Sequence, residues 1–247
     1  PVKYKGSFHP LTIIKDKVIN IFKNIGFKIF LGTEIESEWY CFDALNTPKN
    51  HPARDNKDTF YLKKNLIVDN VYKASNERYL LRTHTSSVQV RTFLNNKPPI
   101  KAICPGRAFR RDTLDSTHSP SFHQIEGFVI DKNINIIDLK EILFFFIKTL
   151  FGNSIKIKFR TSSFPFTKPS FELDIYSKKL GKLSNKWIEV MGCGLIHPNV
   201  LKNCKISNIW QGLAFGIGLE RLTMIYYGID DIRYFFNNDY RFIKQFI

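Results

Sequence analysis

The stretch from Pro105 to Gly127, which reads PGRAFRRDTLDSTHSPSFHQIEG, constrains the fold more than any other part of this chain. It begins like a strand, passes through a polar loop near Ser119 and alternates again from Ser121, which predicts a β-hairpin. Alternate side chains of a strand share a face, so arginines of the first strand meet Gln124 and Glu126 of the second. Cations beside carboxylates suit a ligand that is anionic at one end and cationic at the other. The competing interpretation is a solvated hairpin, the usual setting of charged clusters.

Length and charge set broad limits. The chain has 247 residues and a formal net charge of +15, which suits one large domain or two small ones and an anionic partner such as nucleic acid or a nucleotide. A general enrichment in lysine would produce the same charge. The four cysteines lack CxxC spacing, so free thiols in a reducing compartment are expected in preference to zinc. The longest apolar run, 142–147, is far shorter than the ~18 residues that span a bilayer, and no signal peptide opens the chain. We therefore expect a soluble, cytoplasmic protein.

Periodicity predicts a mixture of helices and strands in one domain. A helix from Leu11 ends at Gly26, a second begins with a serine cap at Ser86, and a third follows a capping-box pattern at 138–141. Most strands in the middle of the chain are joined by turns too short for a parallel crossover, which predicts an α+β domain with a mainly antiparallel sheet. The predicted strands are 27–31, 58–62, 79–82, 100–104, 121–131, 155–160, 171–175 and 187–191; the other predicted helices are 219–227 and one or two within 230–247, and 63–78 is a polar excursion.

Two short motifs resemble those of class II aminoacyl-tRNA synthetases. The residues from Phe109 to Asp112 resemble the second motif of that class, and those from Gly216 to Leu222 resemble the third. Longer stretches are similar to the α subunits of bacterial-type phenylalanyl-tRNA synthetases, from about residue 9 to the end of the chain. These stretches are HPARDNKDTFYL from His51, LRTHTSSVQVRTF from Leu81, THSPSFHQIEG from Thr117, FPFTKPSFELD from Phe164 and WIEVMGCGLIHPNVL from Trp187.

The resemblance implies a class II catalytic domain over residues 1–247, with a mainly antiparallel six- to seven-stranded sheet flanked by helices. Two departures stand out. Asp112 occupies a position where the class generally has glutamate, although the bacterial α-subunit pattern accepts aspartate. The family also carries an N-terminal coiled-coil arm that leans on tRNA, and we expect this arm to be absent, either lost or left out of the sequence.

The activity implied by the resemblance is ATP-dependent activation of phenylalanine to an adenylate, followed by transfer to the terminal ribose of tRNA(Phe). Arg110 and Arg221 are the expected catalytic residues, because guanidinium groups match phosphate and carboxylate geometry. Arg110 would hold the α-phosphate and the substrate carboxylate, and Arg221 would hold the terminal phosphate. His118 would contact the β- or γ-phosphate, Asp112 the adenine amine or a metal-bound water, and Phe122 would stack on adenine.

A second set of residues is expected to bind phenylalanine. Gln124 and Glu126 lie two residues apart and point the same way; with His84 and Ser86 they suit the ammonium and carboxylate groups. Phe164 and Phe166 would border the phenyl ring, and Ala214 would form the floor at its para position. An apolar pocket rejects an added hydroxyl group by only about a hundredfold, so incomplete exclusion of tyrosine is expected.

The resemblance also implies a metal and partners. Magnesium is expected with ATP, and Glu172 is its implied ligand, which a β subunit would share. Glu189 is a second candidate, for which a structural salt bridge is equally consistent. The family assembles as an α2β2 tetramer, and residues 11–50 would build the interface. No membrane partner is expected.

Two alternatives to the enzyme remain at this stage. One is a class II paralogue that binds nucleotide, RNA or protein without catalysis. The retained motif residues argue against it, and these are Arg110, Gln124, Glu126, Glu220 and Arg221. The other is a basic RNA-binding module, which the position of the aromatic residues within pocket motifs disfavours.

Overall fold

A seven-stranded sheet organises the chain. The computed structural model describes residues 6–63, 77–178 and 184–246, so most of the predicted polar excursion at 63–78 lies outside the described residues. The strands of the sheet are β1 (Lys28–Ile29), β4 (Ile100–Phe109), β5 (Ser121–Asp131), β6 (Lys156–Ser162), β7 (Thr167–Tyr176), β8 (Ile188–Ile196) and β9 (Gln211–Gly218), and a separate two-stranded sheet contains β2 (Ile35–Ser37) and β3 (Tyr79–Leu81). The large sheet has the order β1-β4-β5-β9-β8-β7-β6, and every neighbouring pair in it is antiparallel except β1 with β4. The predicted mainly antiparallel α+β fold is confirmed.

Helices cover both faces of the large sheet. The α-helices are α1 (Pro10–Asn24), α2 (Ser86–Asn95), α3 (Ile136–Phe151), α4 (Pro198–Asn203), α5 (Leu219–Tyr227) and α6 (Tyr240–Ile243), with a π-helical turn at Trp39–Asp43. Helices α1, α3 and α5 pack on one face around Phe22, whose ring lies 4.9 Å from that of Phe146 and 5.0 Å from that of Phe215. Helices α2 and α4 cover the opposite face around Phe128.

The alternation of β5 divides its side chains between these two faces. Ile125 and Val129 belong to the core beneath α1, α3 and α5, whereas Phe128 and Ile130 belong to the core beneath α2 and α4. Gln124 and Glu126 have the same parity as Phe128 and therefore face α2. The site develops on this second face.

Several boundaries differ from those that the sequence predicts. Thr85, and not Ser86, occupies the cap position of α2, and it makes no side-chain cap hydrogen bond, because its hydroxyl donates to Glu126, as that of Ser86 also does. The capping box of α3 pairs Asn135 with Asp138, so the helix begins at Ile136, before the predicted cap. The strand predicted at 27–31 is limited to Lys28–Ile29, and that at 58–62 is reduced to an isolated bridge between residues 61 and 80.

Candidate active site

One cavity of about 760 Å³ gathers nearly all the residues selected from the sequence, a size typical of small-ligand sites. His118 is the exception among them. The predicted residues that line the cavity are His84, Ser86, Arg110, Asp112, Phe122, Gln124, Glu126, Phe164, Phe166, Glu172, Ala214 and Arg221. The structure thus brings these side chains together, and the role of each remains a prediction.

The register of β5 and β9 gives the cavity its long axis. Gln124, Glu126 and Phe128 lie opposite Gly218, Gly216 and Ala214 respectively. Four residue steps along a strand cover about 13 Å, which is the length of the floor between Ala214 and Gly218. A Cβ atom at Gly216 would lie 2.8 Å from Nε2 of Gln124, so glycine keeps this part of the floor clear.

The open end of the cavity, defined by Arg110, Asp112, Phe122 and Arg221, is rich in charge. The guanidinium carbon of Arg110 lies 5.0 Å from the centroid of the Phe122 ring, and its Nε donates to the carbonyl of Thr83 at 3.2 Å. Nε of Arg221 donates to the carbonyl of Glu189 at 2.8 Å. Because each arginine is anchored through Nε, its terminal nitrogens are directed for bidentate contact with an anion.

His118 lies outside the cavity, at the tip of the hairpin. The Asp115 carboxylate accepts hydrogen bonds from the backbone N–H groups of Thr117 at 2.6 Å and His118 at 2.7 Å, and it also contacts Nδ1 of His118 at 3.0 Å. These local bonds hold the imidazole on the exposed tip. The predicted phosphate contact of His118 therefore requires the loop to change conformation.

The buried end of the cavity, defined by Ser86, Glu126 and Ala214, contains a preassembled hydrogen-bond network. The Glu126 carboxylate accepts from Oγ of Ser86 at 2.6 Å and from Nε2 of Gln89 at 2.9 Å. The backbone N–H of Thr85 donates to Oε1 of Gln124 at 3.3 Å. The first turn of α2 thereby orients both acceptors before any ligand enters.

Burial shifts the acid–base properties of two groups at this end. Burial raises the pKa of Glu126 to about 7, against the opposing effect of the hydrogen bonds from Ser86 and Gln89. Burial, reinforced by Arg110, lowers the pKa of His84 to about 3. His84 is therefore neutral at physiological pH, and it adds no positive charge that would repel an ammonium group bound to Glu126.

Aromatic residues border the apolar part of the cavity. The rings of Phe164 and Phe166 are 5.9 Å apart and nearly parallel, at an interplanar angle of 5°. A Cβ atom at Gly192 would approach the Phe164 ring to 3.0 Å, so the glycine lets this ring lie close to the sheet. Ala214 is buried on β9 and pairs with Gly194 of the adjacent strand β8. Its side chain is a single methyl group, which leaves room in this part of the cavity.

Comparison with known proteins identifies the family. The model of the tRNA synthetases class II core domain (F) matches residues 1–246. The phenylalanine–tRNA ligase α subunit of Aquifex aeolicus is 47% identical over 258 residues, which cover all of this chain and 71% of that protein. The chain belongs to the phenylalanine–tRNA ligase α-subunit family. The corresponding protein of Alkaliphilus oremlandii is 52% identical over 248 residues, covering 98% of this chain and 69% of that protein.

A solved structure confirms the class II fold of this family member independently of close sequence similarity. Pyrrolysyl-tRNA synthetase from Desulfitobacterium hafniense superposes with a TM-score of 0.67 at 14% identity, over 93% of this chain and 74% of that one. At this identity the likeness concerns the fold alone. None of the helices in the described part of the chain is both long and apolar enough to cross a membrane.

Two carboxylates on the cavity wall are candidate ligands for the magnesium expected in this family. Glu172 accepts from Oγ of Ser162 at 3.0 Å and pairs with Nη2 of Arg160 at 2.8 Å, and the same nitrogen lies 3.6 Å from Oε2 of Glu189. In the described ranges, no three His, Cys, Asp or Glu residues group to hold a metal. Magnesium is commonly held by one or two carboxylates together with substrate phosphates. Glu172 and Glu189, which both line the cavity, fit that arrangement and not an all-protein site.

Sequence reasoning overlooked the residues of α2 that support Glu126 in this family member. Thr85, at the cap, and Gln89 are spaced i and i+4, a spacing that places both on one side of the first turn, and both donate to Glu126 as Ser86 does. This spacing beside a predicted helix start is the signal that would have found them. Thr83 and Ser163 also line the cavity, but no pattern in the sequence distinguishes them from ordinary loop residues.

Proposed function

We propose that this chain is the catalytic α subunit of a phenylalanine–tRNA ligase, with residues 1–247 as its catalytic domain. It activates phenylalanine with ATP to phenylalanyl-adenylate and transfers the phenylalanyl group to the terminal ribose of tRNA(Phe). The observation that carries this proposal is a cavity with anchored arginines at its open end and a buried carboxylate, Glu126, at the other. An aminoacyl-adenylate, which combines an ammonium group for Glu126 with a nucleotide phosphate for the arginines, matches that arrangement.

The open end supplies electrostatic stabilisation for the first step. A carboxylate oxygen of phenylalanine attacks the α-phosphorus of ATP, the bond to the β-phosphate oxygen breaks, and pyrophosphate leaves with the electron pair. Arg110 stabilises the charge on the α-phosphate, and Arg221 holds the terminal phosphate. Phe122 offers its ring to adenine, while Asp112 accepts a hydrogen bond from the exocyclic amine of adenine. When bound through Glu172 and Glu189, magnesium would neutralise phosphate charge.

The buried end selects the amino acid. Ionised Glu126 and the Gln124 carbonyl accept from the ammonium group, and Ser86 and the neutral imidazole of His84 stay within reach of the polar end of the substrate. The phenyl ring packs between the aromatic wall of Phe164 and Phe166 and the floor at Ala214. In the second step a ribose hydroxyl of tRNA attacks the acyl carbon, and the nucleotide monophosphate leaves.

The α-subunit name of the relatives supports a partner subunit and a tRNA substrate for this chain. A β subunit would complete an α2β2 tetramer, tRNA(Phe) would approach the open end, and the complex would work in the cytoplasm. The positive net charge of the chain supports contact with the phosphate backbone of tRNA.

The decisive experiment is phenylalanine-dependent exchange of pyrophosphate into ATP, followed by charging of tRNA(Phe). The chain is co-expressed with the β subunit of the same genome and compared with the isolated chain. Exchange that depends on phenylalanine supports the ligase, and transfer to tRNA completes it. A folded complex that binds ATP without exchange would instead indicate the non-catalytic class II paralogue.

A further inference from the structure

Glu220 is a buried carboxylate next to Arg221 to which the proposed chemistry assigns no role. Its exposed fraction is 2%, and within the described chain it does not line the cavity. Its carboxylate accepts the backbone N–H of His123 at 3.0 and 2.9 Å, and Nδ1 of His123 donates to Oε1 at 2.7 Å. One side chain thus binds both the main chain and the ring of a residue 97 positions earlier.

The end of strand β9 explains this arrangement. The pairing of β5 with β9 reaches Gln124 and Gly218, after which the chain turns into helix α5. His123 is the next residue of β5 beyond that last pair. The Glu220 carboxylate accepts its N–H and so takes the place of a further strand residue. A carboxylate in the first turn is also favoured by the positive end of the helix dipole.

The start of α5 is consequently fastened to both neighbours of β9. Glu220 binds β5 through His123, and the next residue, Arg221, binds β8 through the carbonyl of Glu189 at 2.8 Å. Strands β5 and β8 flank β9 in the sheet. The side chain that follows Glu220 is the predicted phosphate ligand, and the one that precedes His123 is Phe122, the predicted adenine platform.

We propose that Glu220 and His123 form a positioning clasp that fixes the separation of Phe122 and Arg221, and thereby the fit of ATP. The clasp contacts no substrate itself and acts through these two residues. Phenylalanine binding lies outside its reach, because α2 supports Glu126 and the clasp lies on the opposite face of β5. This inference rests on the proposed function for the identity of the nucleotide.

The test measures ATP and phenylalanine affinity separately on the complex of the full chain with its β subunit. Glu220→Ala removes every bond of the clasp, His123→Ala keeps the backbone bond, and His123→Asn offers a replacement side-chain N–H. We expect Glu220→Ala to raise the Kd for ATP about tenfold or more, because displacement of a positioning group by about 1 Å is costly. The Kd for ATP of His123→Ala should lie between those of wild type and Glu220→Ala, and that of His123→Asn should be close to wild type. The Kd for phenylalanine should stay within about twofold of wild type in all three variants.

Asp138→Ala is the matched control for the helix start. Asp138 also lies in the first turn of a helix and accepts a backbone N–H, that of Asn135 at 2.8 Å, but it is remote from the cavity. The Asp138→Ala variant should have a lower melting temperature than wild type and an unchanged Kd for ATP. If Glu220→Ala does not fold, Glu220→Gln keeps the volume with weaker acceptance, and it should weaken ATP binding several-fold.

Three results would overturn the clasp. They are unchanged ATP binding in folded Glu220 variants, equal losses for ATP and phenylalanine, and no rescue by His123→Asn relative to His123→Ala. Direct ATP titration keeps this test separate from the proposed function. A wild-type complex that binds ATP but lacks exchange would refute the ligase and leave the clasp measurable, whereas a wild-type complex that binds no ATP would refute both.

Discussion

The two ends of the cavity are built in opposite ways. At the buried end, donors from α2 already satisfy the Glu126 carboxylate, and Ala214 is enclosed by the core. At the open end, Arg110 and Arg221 are anchored by one nitrogen each. A buried acceptor without a partner is costly, so a recognition carboxylate must be supported in advance. An exposed guanidinium is hydrated, so it needs no protein acceptor for every N–H group before an anion binds.

This difference predicts distinct failures. Substitutions at the open end should weaken ATP binding and reduce the rate of the chemical step, because the phosphates are charged in bound ATP and the departing pyrophosphate gains further charge as the bond breaks. Substitutions at the buried end should change which amino acid binds and at which pH. The predictions below are ordered from the largest expected effect to the smallest.

Arg221→Ala should have the largest effect. Loss of a guanidinium that stabilises phosphate charge typically costs about 10³-fold or more in rate, and we expect pyrophosphate exchange to fall accordingly while phenylalanine binding persists. Arg107→Ala is the matched control, since Arg107 is an exposed arginine of strand β4 and does not line the described cavity. Full exchange activity in Arg221→Ala would show that Arg221 does not stabilise the phosphate charge.

The pH dependence of phenylalanine binding should show the second largest effect. Burial raises the pKa of Glu126 to about 7, so the free protein holds a proton there below that pH and must release it to bind an ammonium group. The apparent Kd for phenylalanine should rise up to about tenfold per pH unit as pH falls below 7.

Calorimetric titration between pH 5.5 and 8.5 provides the measurement. Glu126→Gln carries no titrating group and should give weak binding with a flat profile over that range. An equally steep profile in Glu126→Gln would mean that another group controls the pH dependence.

Ala214→Gly should change specificity more than rate. The larger cavity should admit phenylalanines with para substituents and improve their kcat/KM relative to phenylalanine by about 10- to 100-fold. Ala108→Gly, at a buried alanine in β4 outside the cavity, controls for added backbone flexibility. An unchanged substrate range would show that Ala214 does not form the floor.

Local patterns explain which parts of the fold and site were predictable. Alternation along 121–131 places Gln124 and Glu126 on one face, and the start of α5 follows from its apolar spacing. Both depend on neighbouring residues in sequence. The cap of α3 was misplaced because Asn135 and Asp138 are both good capping residues, and only their reciprocal bonds reveal which is the cap.

Long-range contacts account for what was missed. Gln89 supports Glu126 across a separation of 37 residues, and His123 meets Glu220 across 97, distances at which periodicity carries no information. The glycine-rich stretch at 212–218 was not assigned to a strand, although it forms most of β9. Its strand state depends on pairing with β5 and β8. Likewise, the sequence motif gives no sign of the hydrogen bonds through which Asp115 holds His118 outside the cavity.

Gln89→Met should produce the smallest effect and the sharpest test of preassembly at the buried end. The hydrogen bond from Gln89 lowers the pKa of Glu126, so its removal should raise that pKa and move the midpoint of the phenylalanine-binding profile to higher pH. At pH 7 the Kd should rise several-fold, and the loss should diminish at higher pH as Glu126 ionises again. Thr92→Val is the matched control, since it removes a buried hydrogen bond to Val88 within the same helix. If both variants keep the wild-type midpoint, α2 does not lower the pKa of Glu126. The two ends of the cavity would then differ only in how deeply they are buried.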